Sequence, residues 1–219
     1  MTLKAVLFDL DGTLVDSVPG IHQAVDRALV ERQQRHCTED DVRHWVGNGP
    51  RVLMQRALGT TDQTEVDPAL LAFERYYADT VFDAVLYPGV AEGLDRLRAA
   101  GLHLACLTNK PWPFTRPILQ HLGLASTFDN VICGDQVERP KPDPQSLSLA
   151  CELLQVGVDE AMMVGDSVND LKPAQALGMP SVAVTWGYHG GQSLSAHRPV
   201  LTADHFSEVV SFALQRQDQ

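Results

Sequence analysis

The chain has 219 residues, 44% of them hydrophobic, and a formal net charge of −11 from 28 acidic and 17 basic side chains. That length supports one large domain or two modest ones, each with a proper core. The acidic balance excludes a general nucleic-acid binder, which needs a basic surface, and requires any anion site to carry local positive charge or a cation.

The first apolar run, residues 5–8, predicts a buried strand. It ends at two aspartates two positions apart, Asp9 and Asp11, in VLFDLDGTLVDS (6–17). No good strand follows for about seventy residues. Helical patterns occupy 17–33, 41–45, 51–58 and 67–82 instead, and TEDD (38–41) reads as a helix start with a capping box. These residues predict a helical cap, 16–85, inserted into a core made of 1–15 and 86–219. Beyond it, a helix over 91–100 stops at Gly101, a strand follows at 102–107, and a helix over 113–122 stops before Gly123. A strand at 131–133 precedes a helix over 144–154, with Asp143 as N-cap and Pro144 in the first turn. The last pair of strands, 162–164 and 182–184, flanks a helix over 168–177 that stops at Gly178. Alternating strands and helices, with strands apolar throughout, predict a doubly wound parallel α/β sheet, a Rossmann-like core, covered on both faces.

The four cysteines are widely spread without a CxxC pair, which predicts reduced thiols and a cytoplasmic protein rather than a zinc or disulfide framework. The eight histidines show no HxH or HExxH spacing. No segment approaches the roughly 20 apolar residues of a membrane span. The first residues meet acid too early for a signal peptide.

In a doubly wound sheet, ligands bind beyond the carboxyl ends of the strands. The first strand delivers Asp9, Asp11, Gly12 and Thr13 to that edge, and the second delivers Thr108, Asn109 and Lys110. Lys141 follows the third, in GDQVERPKPDP (134–144), and Asp166 and Asp170 follow the fourth, in GDSVND (165–170). Four carboxylates on one edge repel one another unless a cation intervenes, and clustered oxygen donors favour Mg²⁺.

Four motifs in order, DLDGT (9–13), LTN (107–109), Lys141 before Pro142, and GDSVND, resemble those of the haloacid dehalogenase superfamily over essentially the whole chain. Within it, residues 45–59, 107–119 and 180–191 look most like the bacterial phosphoglycolate phosphatase branch. The resemblance implies a phosphatase acting on a small phosphate ester, 2-phosphoglycolate first. It implies Asp9 as nucleophile, Asp11 as general acid and base, and Mg²⁺ held by the Asp9 carboxylate, the Asp11 carbonyl and Asp166, with Asp170 acting through water or as an orienter. Thr108 and Lys141 would hold phosphate oxygens, aided by backbone N–H groups near Gly12 and Asn109.

Plainer readings stand beside these. Asp170 also completes a capping box from Ser167, Thr108 suits a helix cap, and Lys141 a solvated loop. Asp16 reads as a surface or hinge residue. GNGPR (47–51) is either a turn before a helix or the place where Arg51 and a helix N-terminus meet a second substrate anion. Lys110 and Trp112 are placed at the entrance, and WGYHGG (186–191) in a loop near the site. The competing functions are a phosphatase for a sugar phosphate, nucleotide or pyrophosphate, a phosphomutase, and an inactive binding module. Dehalogenation is disfavoured, because the family's dehalogenases lack the second aspartate. The expected partner is a small phosphate ester, with no nucleic acid or membrane, for a monomer or homodimer.

Overall fold

The computed structural model describes residues 2–217. The chain begins with β1 (Ala5–Phe8), turns sharply and forms a short β2 (Val15–Asp16). Four helices come next: α1 (Val18–Glu31), α2 (Glu39–Trp45), α3 (Pro50–Leu58) and α4 (Gln63–Thr80). Then β3 (Val85–Leu86) pairs antiparallel with β2, so a two-stranded ribbon stands where the chain leaves for the helices and returns. The ribbon is too short to show as an alternating pattern, and the sequence reading contains neither strand.

Helix starts follow local chemistry. The Thr38 hydroxyl accepts from the Asp41 N–H at 3.1 Å while the Asp41 carboxylate accepts from the Thr38 N–H at 2.9 Å, the capping box that TEDD predicts. By contrast α4 starts one turn before its expected position. Asp62 accepts from the Thr64 N–H at 2.9 Å and caps there, leaving Pro68 inside the helix. Between α1 and α2, Asp26 accepts from the Cys37 N–H at 3.0 Å and closes the loop.

After β3 the alternation is regular. It runs α5 (Val90–Ala99), β4 (His103–Thr108), α6 (Trp112–His121), β5 (Asn130–Cys133), α7 (Gln145–Leu154), β6 (Ala161–Gly165), α8 (Val168–Leu177) and β7 (Ser181–Val184). The structure adds β8 (Leu201–Ala203) and α9 (Phe206–Gln217), which the sequence reading does not contain. The six long-sheet strands are all parallel, in the order β5-β4-β1-β6-β7-β8.

Alternate residues of each strand face opposite sides of the sheet. Val6, Phe8, Leu104, Cys106 and Val164 belong to one core with Leu94 and Leu97 of α5 and Val209 of α9. Ala5, Leu7, Leu107 and Met163 belong to the other, with Leu147, Ala150 and Leu154 of α7. The first core continues into α1, α3 and α4 through Val25, Met54 and Phe73. Register aligns the strand ends: Phe8 lies opposite both Cys106 and Val164, so β1, β4 and β6 finish side by side. The four cysteines are free and buried. Among the described residues no helix is long and apolar enough to cross a membrane.

Candidate active site

Just past the end of β1, the Asp9 N–H still donates to the Val164 carbonyl at 3.0 Å, which fixes the residue against β6. The residue is 8% exposed, and Oδ1 accepts from Lys141 Nζ at 2.7 Å. Two residues on, Asp11 Oδ1 accepts from Ser17 Oγ at 2.5 Å and from Lys110 Nζ at 2.6 Å. Gly12 between this turn and β6 has φ +90, and a Cβ there would stand 2.4 Å from Asp166 Oδ2. Only glycine takes that backbone conformation and leaves the carboxylate in place.

At the end of β6, Asp166 accepts from Thr13 Oγ1 at 3.2 Å and from the Tyr188 N–H at 2.5 Å. Asp170, at the start of α8, has both oxygens engaged. Oδ1 takes Lys141 Nζ at 2.7 Å, and Oδ2 takes the Ser167 N–H and hydroxyl at 3.1 and 2.8 Å. The capping-box reading of Asp170 is thus realised together with its place at the site. Lys141 is 4% exposed and bridges Asp9, Asp170 and the Leu107 carbonyl, so it is a buried cation and not a loop lysine in solvent.

Burial is the main cause that raises the Asp9 carboxyl well above its ordinary range; Lys141 opposes it, while Asp170 and Asp166 add to it. Asp166 is pushed up to about 7, by burial first and Asp170 second. Lys141 goes the other way from a desolvated amine: burial lowers it, but Asp170 and Asp9 outweigh burial and hold the ammonium charged. Asp9, Asp166 and Asp170 each offer a carboxylate oxygen, all within 4.8 Å of one another. Four carboxylates, Asp9, Asp11, Asp166 and Asp170, share the cavity lining with three cationic side chains, Lys110, Lys141 and Arg56, an excess of one negative charge if all are ionised. An all-oxygen donor set with that excess fits a hard divalent cation such as Mg²⁺.

These groups open into a cavity of ≈ 290 Å³ between the sheet edge and the helices. Thr108 lines it, 4% exposed, its hydroxyl accepting from the Lys110 N–H at 3.1 Å. Asn109 lines it too, but its amide donates to the Gly47 and Lys141 carbonyls at 2.9 and 2.8 Å, so the side chain serves as a tie between loops. Asn169 donates to the same Gly47 carbonyl at 3.0 Å, and Asn48 to Asn169 at 3.2 Å. Tyr188 to Gly190 of the WGYHGG loop complete the wall.

Arg51 is not there. Its guanidinium pairs with Asp67 at 2.6 Å, each side chain about half exposed. Pro50, Leu53, Met54 and Ala57 form the i, i+3, i+4, i+7 stripe that α3 turns inward, and Arg51 falls off it. Trp112 also lies outside the cavity lining, whereas Lys110 is buried within it at 7% exposure. Asp16 accepts from the Tyr188 hydroxyl at 2.5 Å and pairs with Arg43 at 3.5 Å, which ties β2 to α2 and to the β7 loop. Ser17 and Tyr77 are site residues that the sequence reading does not contain, whereas Thr13 stands at the expected sheet edge and Tyr188 in the loop expected near the site. Tyr77 reaches the site from a helix position that no local spacing connects to it.

A family model described as haloacid dehalogenase-like hydrolase matches residues 3–178. The chain is similar to a phosphoglycolate phosphatase of Colwellia psychrerythraea, 40% identical over 94% of this chain and 95% of the other. It is also similar to a phosphoglycolate phosphatase of Salmonella typhimurium, 39% identical over 95% and 91%. A crystal structure described as a predicted phosphoglycolate phosphatase from Haemophilus somnus superposes with a TM-score of 0.92 at 31% identity, covering 97% of this chain and 98% of that one.

Proposed function

The chain belongs to the haloacid dehalogenase-like hydrolases, and we propose that it is a Mg²⁺-dependent phosphatase that cleaves a small phosphomonoester through an aspartyl-phosphate, with 2-phosphoglycolate as substrate. The observation that carries the mechanism is Asp9. Oδ1 is held by Lys141, while Oδ2 has no hydrogen-bond partner among the described residues, in a buried site that lines the cavity. The substrate assignment rests on relatives of that name matched across most of both chains.

In the first half-reaction an Asp9 oxygen bonds to phosphorus. The bond from phosphorus to the ester oxygen breaks, that oxygen keeps the electron pair, and the Asp11 carboxyl gives it a proton, so the alcohol leaves. In the second, the Asp11 carboxylate takes a proton from water. The water oxygen bonds to phosphorus, the bond to Asp9 breaks, and inorganic phosphate departs with Asp9 regenerated. Lys141, the Thr108 hydroxyl and backbone N–H groups near Gly12 and Asn109 hold the phosphoryl oxygens, which is most of what phosphoryl transfer asks of a protein. The Asp9 carboxylate, the Asp11 carbonyl and Asp166 would hold Mg²⁺, with Asp170 orienting Lys141 and the start of α8. When bound, the ion neutralises charge on the transferring group. Residues 16–85 act as a cap over the core formed by 1–15 and 86–219, and their Gly47–Pro50 turn meets the leaving group.

The test is kcat/KM over a panel of small phosphate esters, with Mg²⁺ and with chelator. The expected result is the highest value on 2-phosphoglycolate and no turnover in chelator. Turnover that survives chelation removes the metal. One observation favours a second reading, a phosphatase for an ester without a second anion: Arg51, the cap cation expected at the substrate carboxylate, pairs with Asp67 and does not line the cavity. A higher kcat/KM on a neutral-tailed ester selects that reading.

A further inference from the structure

Lys110 has no part in the steps above, yet it is one of two ammonium groups in the cavity wall and is 7% exposed. Nζ donates to Asp11 Oδ1 at 2.6 Å and to the Tyr77 hydroxyl at 2.7 Å. Ser17 Oγ donates to the same Asp11 oxygen at 2.5 Å, while Oδ2 has no hydrogen-bond partner among the described residues. Tyr77 itself is locked, 2% exposed and packed against Phe73 and Phe114 with ring centroids 5.2 and 5.0 Å away.

We propose that Lys110, braced by Tyr77 of α4, is a positioning residue that pins Asp11 Oδ1 so that Oδ2 alone is presented to substrate for proton transfer. The inference rests on the reading of Asp11 as general acid and base. Its geometry suits both half-reactions. A neutral carboxyl still accepts two hydrogen bonds on the carbonyl oxygen while Oδ2 carries the proton, and a carboxylate so held keeps Oδ2 free as base. Because Tyr77 belongs to the helical segment, α4 braces the lysine that, together with Ser17, holds the acid on the sheet edge.

The experiment compares kcat/KM for Lys110→Met and Tyr77→Phe on three esters: 2-phosphoglycolate, 2-hydroxyethyl phosphate and p-nitrophenyl phosphate. kcat/KM reports steps through departure of the leaving group, and nitrophenolate departs without a proton. Lys110→Met is expected to lose about 10²-fold on both alkyl esters and several-fold less on the aryl ester, in line with a displaced general acid. Tyr77→Phe, which keeps the ring packing, shows the same pattern at about threefold to tenfold. Loss on 2-phosphoglycolate alone overturns the proposal and makes Lys110 a ligand of the carboxylate. Equal loss on all three overturns it in favour of phosphate binding or support of the fold. Asp11→Asn separates the two levels. If it too shows no dependence on leaving group, the reading of Asp11 falls and the proposal with it; if it shows that dependence and Lys110→Met does not, only the proposal falls.

Discussion

Asp166 shows how the residues of the site conflict without a cation. Its carboxyl is raised from 3.8 to about 7 by burial and by Asp170, so between those values the folded protein holds a proton that the unfolded chain has released. Stability from this group is therefore fullest at low pH and declines as pH rises through that window. The metal-free protein is expected to lose thermal stability from about pH 4 to about pH 7, and Mg²⁺ to raise the midpoint more at the higher pH, where no proton has to be displaced. Thermal unfolding with and without Mg²⁺ checks this; a Mg²⁺ shift independent of pH contradicts it. Arg51 carries the opposite expectation. Its pair with Asp67 is exposed, and such pairs contribute about 0–1 kcal/mol. Arg51→Ala is expected to change kcat/KM on 2-phosphoglycolate by less than about threefold, since the side chain touches nothing that reacts. A tenfold loss would return Arg51 to the substrate. The gathering of Asp9, Asp11, Thr108, Lys141, Asp166 and Asp170 at one cavity was legible in sequence, because they lie in the segments that follow apolar runs and a parallel sheet brings such ends together. Arg51 lies outside the cavity because α3 buries the stripe of Leu53 and Met54, a face that a basic residue at a helix start does not reveal.

Among the elements, those with strong local signals were the ones read well. The capping box of α2 depends on four consecutive residues, and Thr38 and Asp41 form both of its hydrogen bonds. Thr38→Ala is expected to cost about 1 kcal/mol, or about 2–4 °C in Tm for a chain of this size, while leaving kcat/KM unaltered because Thr38 does not line the cavity. An unchanged Tm would mean that α2 is held by packing alone. The start of α4 lies at Gln63 rather than 67 because Asp62 supplies the cap, with Pro68 accommodated inside the helix. Four elements, β2, β3, β8 and α9, are absent from the sequence reading. The β2–β3 ribbon has two residues on each side and exists through long-range pairing, Val15 with Leu86 and Asp16 with Val85. The pattern of α9 was present in sequence, with Phe206, Val209, Val210 and Ala213 at i, i+3, i+4 and i+7, and all four are buried.

For the whole molecule, the net charge of −11 repels a phosphate ester at long range, so affinity has to be generated inside the cavity. Lys141 and Lys110 supply cationic charge there, and a divalent ion on the buried carboxylates would supply the rest. The sheet was predictable because its strands are apolar from end to end. The relation of helices to sheet was not, since Lys110 to Tyr77 and Asn109 to Gly47 join residues far apart in sequence through single hydrogen bonds. All of this geometry serves one claim, that phosphorus passes through the Asp9 carboxylate. The most direct measurement uses Asp11→Asn, which can accept a phosphoryl group from p-nitrophenyl phosphate but cannot activate water to release it. Acid quenching and borohydride reduction convert an aspartyl-phosphate to homoserine, and peptide mass spectrometry locates it. The account predicts a burst of one nitrophenol per site and homoserine at position 9, neither of which forms when Asp9→Asn is added. A burst with homoserine elsewhere, or steady turnover by Asp9→Asn without any modified residue, would contradict it.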